Sequence, residues 1–309
     1  MIDTLTQDIE KYVDDLVSSL PEVEKQLYAE VLKEIKEFTL YSDGTIKNNL
    51  ENIKRLGRIK KKMDDIVLND EYLKSVSGFV ASYSAVEKTM NVYFGKLSSD
   101  FTPKKVLAEV TKQSVDDAVL ALTESGISVN VSTPIKEIIK VNVTSGGSYS
   151  SLAEQLRSNI LSTKDADGSL VKYVKTYATD AVNTYAGSYM KMITDDLGLK
   201  WYRFTGSNVA NTRAICKEMK IKKFIHVSEF DEMIKGKVNG KQLPLNKSGY
   251  PLGMKTGTTP DNYQQVRNGW QCGHQLIPVS EASVPKDVRT SLYDKKGIKY
   301  DGDGFAVRK

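Results

Sequence analysis

Apolar residues recur every three or four positions through much of residues 1–198, which predicts helices that each bury one face. The clearest such faces are formed by Leu27, Val31, Ile35 and Phe38, and by Tyr72, Val76, Phe79 and Val80. Further helices are predicted over residues 102–126 and 169–196, and a basic helix over residues 54–62. The first two thirds of the chain are therefore expected to be largely helical.

Local signals refine this helical region. Ser19 and Ser151 each stand three residues before a glutamate, Glu22 and Glu154, which is the spacing of a capping box. Strict alternation of apolar and polar residues predicts a short strand over residues 127–131. A boundary inside the helical region is therefore expected near residues 126–150.

The pattern changes after Gly198, where short apolar stretches alternate with glycines and turns. The apolar stretches cover residues 199–204, 223–226 and 275–279, and two short helices are predicted over residues 208–219 and 228–234. These elements predict an α+β fold, with a helical region over 1–198 and a small α+β module over 199–285. Residues 286–309 read as a charged C-terminal tail that is expected to be mobile.

Four tyrosines lie at multiples of four on the helix predicted over residues 169–196: Tyr173, Tyr177, Tyr185 and Tyr189. A stripe of this kind can stack on nucleic-acid bases, but packing between helices is its commoner use. We therefore expect these rings to lie between helices.

Composition narrows the class of protein. The 309 residues are 40% hydrophobic and 27% charged, which is ordinary for a globular chain. Two cysteines exclude a fold held together by several disulfides. The N-terminal segment MIDTLTQDIE does not resemble a signal peptide, and the apolar run over residues 118–122 is too short to cross a bilayer. We expect a protein that is made and folded in a cytoplasm, with no membrane partner.

Charge is distributed unevenly along the chain. Residues 200–309 contain 20 Lys and Arg against 10 Asp and Glu, whereas residues 1–199 contain 24 against 29. The basic part favours contact with polyanions such as DNA, although a solvated lysine surface explains the same balance.

Familiar enzyme motifs do not fit. Residues 253–258 resemble a phosphate-binding loop, but the glycine spacing is one residue short and Lys255 lies inside the loop. Residues 165–169 open like a calcium loop, but Thr176 stands where that loop needs a glutamate. No catalytic residues are predicted, and the chain is not expected to be an enzyme.

All the cysteines and histidines, Cys216, His226, Cys272 and His274, fall in the predicted module. Cys272 and His274 are two residues apart, so on an extended strand both side chains point the same way. Together with Cys216 and His226 they form a candidate tetrahedral zinc set, although the spacing matches no common zinc finger. A reactive Cys/His pair, a Cys216–Cys272 disulfide and simple core packing are the alternatives.

The order of motifs in the module supplies a resemblance. An aromatic start is followed by Thr-Arg and then Cys, a Phe-containing segment, a Gly/Pro-rich loop, and a closing Cys-x-His before a Leu-x-Pro strand. These motifs lie in residues 201–204, 211–216, 224–226, 251–254 and 270–279. The pattern resembles the C-terminal part of the phage Mu F-like minor head, or head morphogenesis, proteins. One departure is Trp270-Gln271, which stands where that family usually has Asn before the cysteine.

The resemblance implies a virion structural protein of a tailed phage. Such a protein would be present in several copies inside the capsid near the portal, and would act in head assembly or in genome packaging and delivery. The implied partners are the portal or major capsid protein, with packaged DNA as a further partner of the basic C-terminal part. The alternatives are a nucleic-acid-binding protein with a Cys/His zinc site and a toxin-like enzyme carried in the capsid.

Three further residues are predicted to be structural anchors of the module: Trp201, Arg213 and Trp270. The tryptophans supply apolar packing. The Arg213 guanidinium is expected to be buried and to donate hydrogen bonds to loop carbonyls, which would hold the glycine-rich connection and the closing segment against its helix.

Overall fold

The computed structural model describes residues 4–206, 208–266, 269 and 272–307. The helices in these residues are α1 (Leu5–Val17), α2 (Leu20–Lys36), α3 (Leu50–Val67), α4 (Asp70–Leu97), α5 (Lys105–Leu122), α6 (Glu124–Ile127), α7 (Thr133–Ser145), α8 (Tyr149–Ile160), α9 (Ser169–Leu197), α10 (Ala214–Lys222), α11 (Phe230–Ile234), α12 (Tyr263–Val266) and α13 (Lys286–Lys296). The strands are β1 (Trp201–Thr205), β2 (Phe224–His226), β3 (Lys237–Val238), β4 (Lys241–Gln242) and β5 (Gln275–Val279). Because 64% of the chain is helical and the main sheet lies in the C-terminal region, the predicted α+β class is confirmed.

No helix in the described part of the chain is both long enough and apolar enough to span a bilayer. The structure separates into two compact units. One comprises residues 11–82 and 115–178, and the other comprises residues 1–10, 83–114 and 179–309. The sequence-based boundaries at residues 198 and 285 do not coincide with the boundaries of these units.

The unit of residues 11–82 and 115–178 contains a closed ring of four helices. α2 packs on α3, α3 on α7, α7 on α8, and α8 on α2. The predicted apolar face of α2 fills the centre, with Leu27, Val31 and Ile35 almost fully buried. This arrangement explains why apolar residues recur every three or four positions, because the apolar face of each helix packs on a neighbouring helix.

A buried carboxylate shapes the connection between α8 and α9 in the same unit. Glu24 accepts hydrogen bonds from the backbone amides of Ser162 (2.8 Å) and Val171 (3.0 Å). Burial raises the pKa of Glu24 above its ordinary value, and hydrogen bonds from Ser162 and Val171 oppose the shift. Glu24 therefore acts as a clamp on this loop.

Several local predictions for this unit were wrong. Residues 127–131 are helical, since a π-helix over Ser128–Ser132 continues α6 into α7. The alternation was too short to outweigh the helices on either side. Ser19 has helical backbone angles and makes no capping hydrogen bond, and Ser148, not Ser151, caps α8. A capping residue needs an extended backbone, which Ser148 has and Ser19 lacks.

The tyrosine stripe serves packing, as predicted. In the unit of residues 11–82 and 115–178, Tyr173 and Tyr177 donate hydrogen bonds to the carbonyl oxygens of Ala121 and Asp117. In the other unit, Tyr185 is buried with its ring 4.8 Å from that of Tyr83.

The unit that contains the C-terminal module is built on a three-stranded antiparallel sheet in the order β2-β1-β5. Trp201 lies opposite His226 on β2 and Val279 on β5, and Thr205 lies opposite Gln275. Side chains alternate between faces, so Tyr202, Phe204, Ile225 and Leu276 join one core cluster. Trp201 and Val279 join a second cluster on the opposite face. The three apolar stretches predicted after Gly198 are these three strands.

The segment predicted to be a mobile tail is folded. α13 buries Arg289, Leu292 and Tyr293, and Tyr293 packs in the cluster of Trp201. Arg289 donates to the carbonyl oxygens of Glu281 (2.8 Å) and Asp303 (2.9 Å). The high charge of residues 286–309 concealed one apolar stripe, and that stripe covers the face of the sheet that carries Trp201.

Candidate metal centre

Two thiols and one imidazole converge at one end of the sheet. Cys216 lies on the buried face of α10, beside Ile215 and Met219. Cys272 and His274 lie in the extended segment that leads into β5. All three site residues are buried, with exposed fractions of 1% for Cys216, 3% for Cys272 and 6% for His274.

The donor atoms of this cluster, defined as Cys216, Cys272 and His274, lie close together. The Sγ atoms of the two cysteines are 3.8 Å apart, and the Cys272 Sγ is 3.7 Å from the His274 Nδ1. All three donor atoms lie within 4.8 Å of one another. The two cysteines are not joined by a disulfide, so the distance between them is a non-bonded one.

The imidazole of His274 is fixed by stacking. Its ring is parallel to that of Phe204, with an interplanar angle of 8° and centroids 5.0 Å apart. Gly206 follows β1 with φ +126°, and a Cβ there would lie 2.9 Å from His274. The imidazole is therefore held between an aromatic face and a close backbone, with Nδ1 turned toward the thiols.

The nitrogens of His274 have weak partners. The Nε2 atom is buried and has no hydrogen-bond partner among the described residues. Nδ1 faces a sulfur, which is a poor hydrogen-bond partner. Burial of an imidazole without good partners is unfavourable, and a ligand bound at Nδ1 would satisfy one of its two nitrogens.

His226, the fourth residue of the predicted set, lies elsewhere, and the prediction is corrected here. It pairs with Trp201 at the start of β1, whereas the cluster lies beyond Thr205 at its other end. Four residue steps along a strand separate these positions by roughly 13 Å. The sequence placed both histidines in the module but could not show that they lie toward opposite ends of β1.

The His226 imidazole has a structural role. Its ring lies 5.0 Å from the ring of Trp201, and its Nδ1 lies 2.8 Å from the Ser228 Oγ. Burial, with a smaller contribution from Lys200 and Lys296, lowers the pKa of His226 to about 4, and Glu281 opposes this shift. His226 is therefore neutral at pH 7.

A phenol completes the surroundings of the cluster. Tyr263 is fully buried, and burial first, then the proximity of Cys216 and Cys272, raises its pKa well above its ordinary value. Its hydroxyl points to the Met219 sulfur at 3.5 Å. Sequence patterns gave no signal for Tyr263, since only the packing of α12 brings it here.

The four predicted chemistries can be compared with this geometry. The burial of both thiols does not suit a reactive Cys/His pair, because reactive cysteines are partly accessible. The arrangement suits a soft metal ion, and the close approach of the sulfurs also suits a disulfide after a small movement. Simple packing explains the burial of the thiols but leaves the nitrogens of His274 without strong partners.

No protein-family model, curated protein or solved structure matches the chain. The resemblance to the Mu F-like head proteins thus stays a prediction that rests on the residues of the module and their arrangement.

The Arg213 side chain lies against the glycine-rich connection at Gly253. It is half-buried rather than fully buried, and its Nε would lie 2.2 Å from a Cβ built on Gly253. A Cβ on Gly269, in turn, would lie 1.6 Å from the Gly253 carbonyl oxygen. Arg213 and the backbones at Gly253 and Gly269 therefore form one stack. Trp270 lies outside the described residues.

Trp201 is buried and joins β1 to the C-terminal helix. Its Nε1 donates to the Tyr293 hydroxyl (2.9 Å), and that hydroxyl donates to the Glu281 carboxylate (2.5 Å). The Ala306 amide donates to the same carboxylate oxygen (2.7 Å). This chain of hydrogen bonds extends the module beyond residue 285, and sequence analysis missed it.

Proposed function

We propose that the chain is a virion structural protein of a tailed phage. It is a minor head protein inside the capsid near the portal and acts in head assembly or in genome packaging and delivery. The observation that carries the proposal is the convergence of the scattered motifs of the head-protein pattern in one small folded module.

The convergence involves the motifs described above. β1 pairs with both β2 and β5, so the aromatic start, the Phe-containing segment and the closing strand form one sheet. α10, which carries the cysteine after Thr-Arg, packs on β1 and β2. The Gly/Pro-rich loop meets this helix through Gly253 and Arg213. Motifs far apart in sequence that build one site support a shared module better than motifs on separate surfaces.

The uneven charge supports a DNA-facing role for the module. Lysines are spread over its surface, and Lys217 and Lys247 are exposed. In this proposal the basic part contacts phosphates of packaged DNA, and the helices of residues 11–82 and 115–178 contact portal or capsid protein.

Mass spectrometry of purified virions tests the central claim. The chain is expected in several copies per particle, at a level far above host proteins carried through the purification. Protease added to intact particles should leave it uncut, and the same protease should cut it once the heads are opened. Absence from washed particles, or cleavage in intact ones, would overturn the proposal.

Binding of the purified chain to double-stranded DNA tests the second part. The affinity should fall steeply as salt rises, and the slope gives the number of phosphates contacted. Lys217→Glu together with Lys247→Glu should weaken binding and reduce the slope. Lys11→Glu together with Lys74→Glu, an equal charge change at exposed positions of the acidic part, should have little effect. Equal losses in both variants would mean that net charge, rather than this surface, governs binding.

A further inference from the structure

We infer that Cys216, Cys272 and His274 bind one zinc ion that fastens α10 to the segment leading into β5. The site consists of these three residues and excludes His226. It is independent of the head-protein proposal, since a metal that stabilises a module says nothing about where the module acts.

The spacing from the Cys272 sulfur to each of the other two donor atoms fits tetrahedral zinc, and the third pair of donors lies within 4.8 Å. With zinc–sulfur bonds of about 2.3 Å, two thiolates at tetrahedral angles stand about 3.8 Å apart. The two Sγ atoms are 3.8 Å apart. With a zinc–nitrogen bond of about 2.0 Å, a thiolate and an imidazole nitrogen stand about 3.5 Å apart. The Cys272 Sγ and the His274 Nδ1 are 3.7 Å apart.

The chemistry of the donors selects the metal. Two thiolates and an imidazole are soft and borderline ligands, which zinc binds well and which magnesium and calcium do not. Coordination through Nδ1 places the remaining proton of His274 on Nε2 and gives the buried Nδ1 a strong partner. Zinc takes four ligands, and the described residues supply three of them.

The position of the site explains what the metal does. Cys216 lies on α10, and the other two ligands lie more than fifty residues later in the chain. A metal joining these segments closes a long loop, which restricts the unfolded chain, and its binding free energy adds to the stability of the module.

Metal analysis of the full-length protein, purified without chelators under reducing conditions, tests the inference. We expect about one zinc per chain. Cobalt added to the metal-free protein should give a sulfur-to-cobalt charge-transfer band in the near ultraviolet together with tetrahedral visible bands. Zinc at the background level of the buffer, with no cobalt spectrum, would overturn the inference without any variant.

Variants then locate the site. Cys216→Ser, Cys272→Ser and His274→Asn should each lose the zinc, and the cysteine variants should also weaken the charge-transfer band. His226→Asn is the matched control, since it removes a buried histidine of the same module and should keep about one zinc per chain. Loss of zinc from the His226 variant, or its retention in both cysteine variants, would refute the three-residue set.

A further measurement uses the wild-type protein, so that the test does not depend on whether the variants fold. In the wild-type protein, zinc should slow alkylation of both cysteines, and a chelator should restore it and lower the midpoint of thermal unfolding. A Cys216–Cys272 disulfide instead would appear as a loss of two hydrogens by mass and as thiols that react only after reduction. That result, in protein kept reduced throughout, would replace the metal with a covalent link and overturn the inference.

Discussion

Lowering the pH from 7 to 5 should destabilise the C-terminal module through His226. The imidazole is only 5% exposed, and it packs against the rings of Trp201 and Tyr293. Its Nδ1 accepts a hydrogen bond from the Ser228 amide (3.3 Å), so it serves as a neutral cap at the end of β2. Protonation would remove this acceptor and bury a charge near Lys200 and Lys296.

The sign and size follow from the lowered pKa. His226 has a pKa of about 4 in the folded protein against an ordinary value of 6.5. The unfolded chain therefore binds the proton more readily, and the contribution of His226 to stability is present above pH 6.5 and is lost as the pH falls toward 4. The loss between pH 7 and pH 5 is about 2 kcal/mol.

Denaturant unfolding followed by tryptophan fluorescence measures this effect, because both tryptophans, Trp201 and Trp270, lie in the C-terminal part. His226→Asn is the comparison, since asparagine can accept the same amide hydrogen bond but does not titrate. The stability of the wild-type protein relative to this variant should fall by about 2 kcal/mol from pH 7 to pH 5. A difference that stays constant, or grows, on acidification would refute this account of His226.

Three other predictions, one of them with a matched control substitution, have clear expected outcomes. Gly269→Ala should cost more than about 2 kcal/mol, because its Cβ would meet the backbone carbonyl of Gly253. Gly257→Ala is the control and should cost about 1 kcal/mol, because Gly257 has a similar positive φ but open space around it. Equal losses of stability in thermal unfolding would disprove the close approach at Gly269. Glu24→Gln should reveal a pH dependence opposite to that of His226. Because the pKa of Glu24 is raised, the stability of the wild-type protein relative to this variant should fall as the pH rises above 4.5. If urea unfolding shows this relative stability rising with pH, the burial argument is wrong. Arg289→Lys should destabilise the protein by about 2 kcal/mol, because lysine cannot reach both carbonyl oxygens to which the guanidinium donates. A melting temperature equal to that of the wild-type protein would show that these hydrogen bonds contribute little.

Much of the helical structure could be predicted from the sequence because its signal is local. The spacing of Leu27, Val31 and Ile35 identifies a buried face without knowledge of what covers it. The cap of α4 is also local, since Asn69 accepts a hydrogen bond from the Tyr72 amide three residues later. The cap predicted at Ser19 failed because Ser19 has helical backbone angles, and the cap predicted at Ser151 failed because Ser148 takes that position.

The candidate site shows the limit of local information. The sequence identified every Cys and His of the module, and residue types alone predicted a metal-binding chemistry. It could not separate His274 from His226, since that choice depends on strand register, which brings residues far apart in sequence side by side. Nor could it reveal Phe204 stacked on His274 or Tyr263 beside the thiols.

Periodicity, composition and the order of motifs thus determined the fold class, most helices, the three strands of the sheet and the set of candidate ligands. Only the tertiary structure decided which three of those ligands meet and that α13 folds onto the sheet instead of forming a mobile tail. The physical reason is that the apolar face of a helix is determined by residues only three or four positions apart in the sequence. A cluster such as Cys216, Cys272 and His274 is created by packing between segments that no local pattern connects.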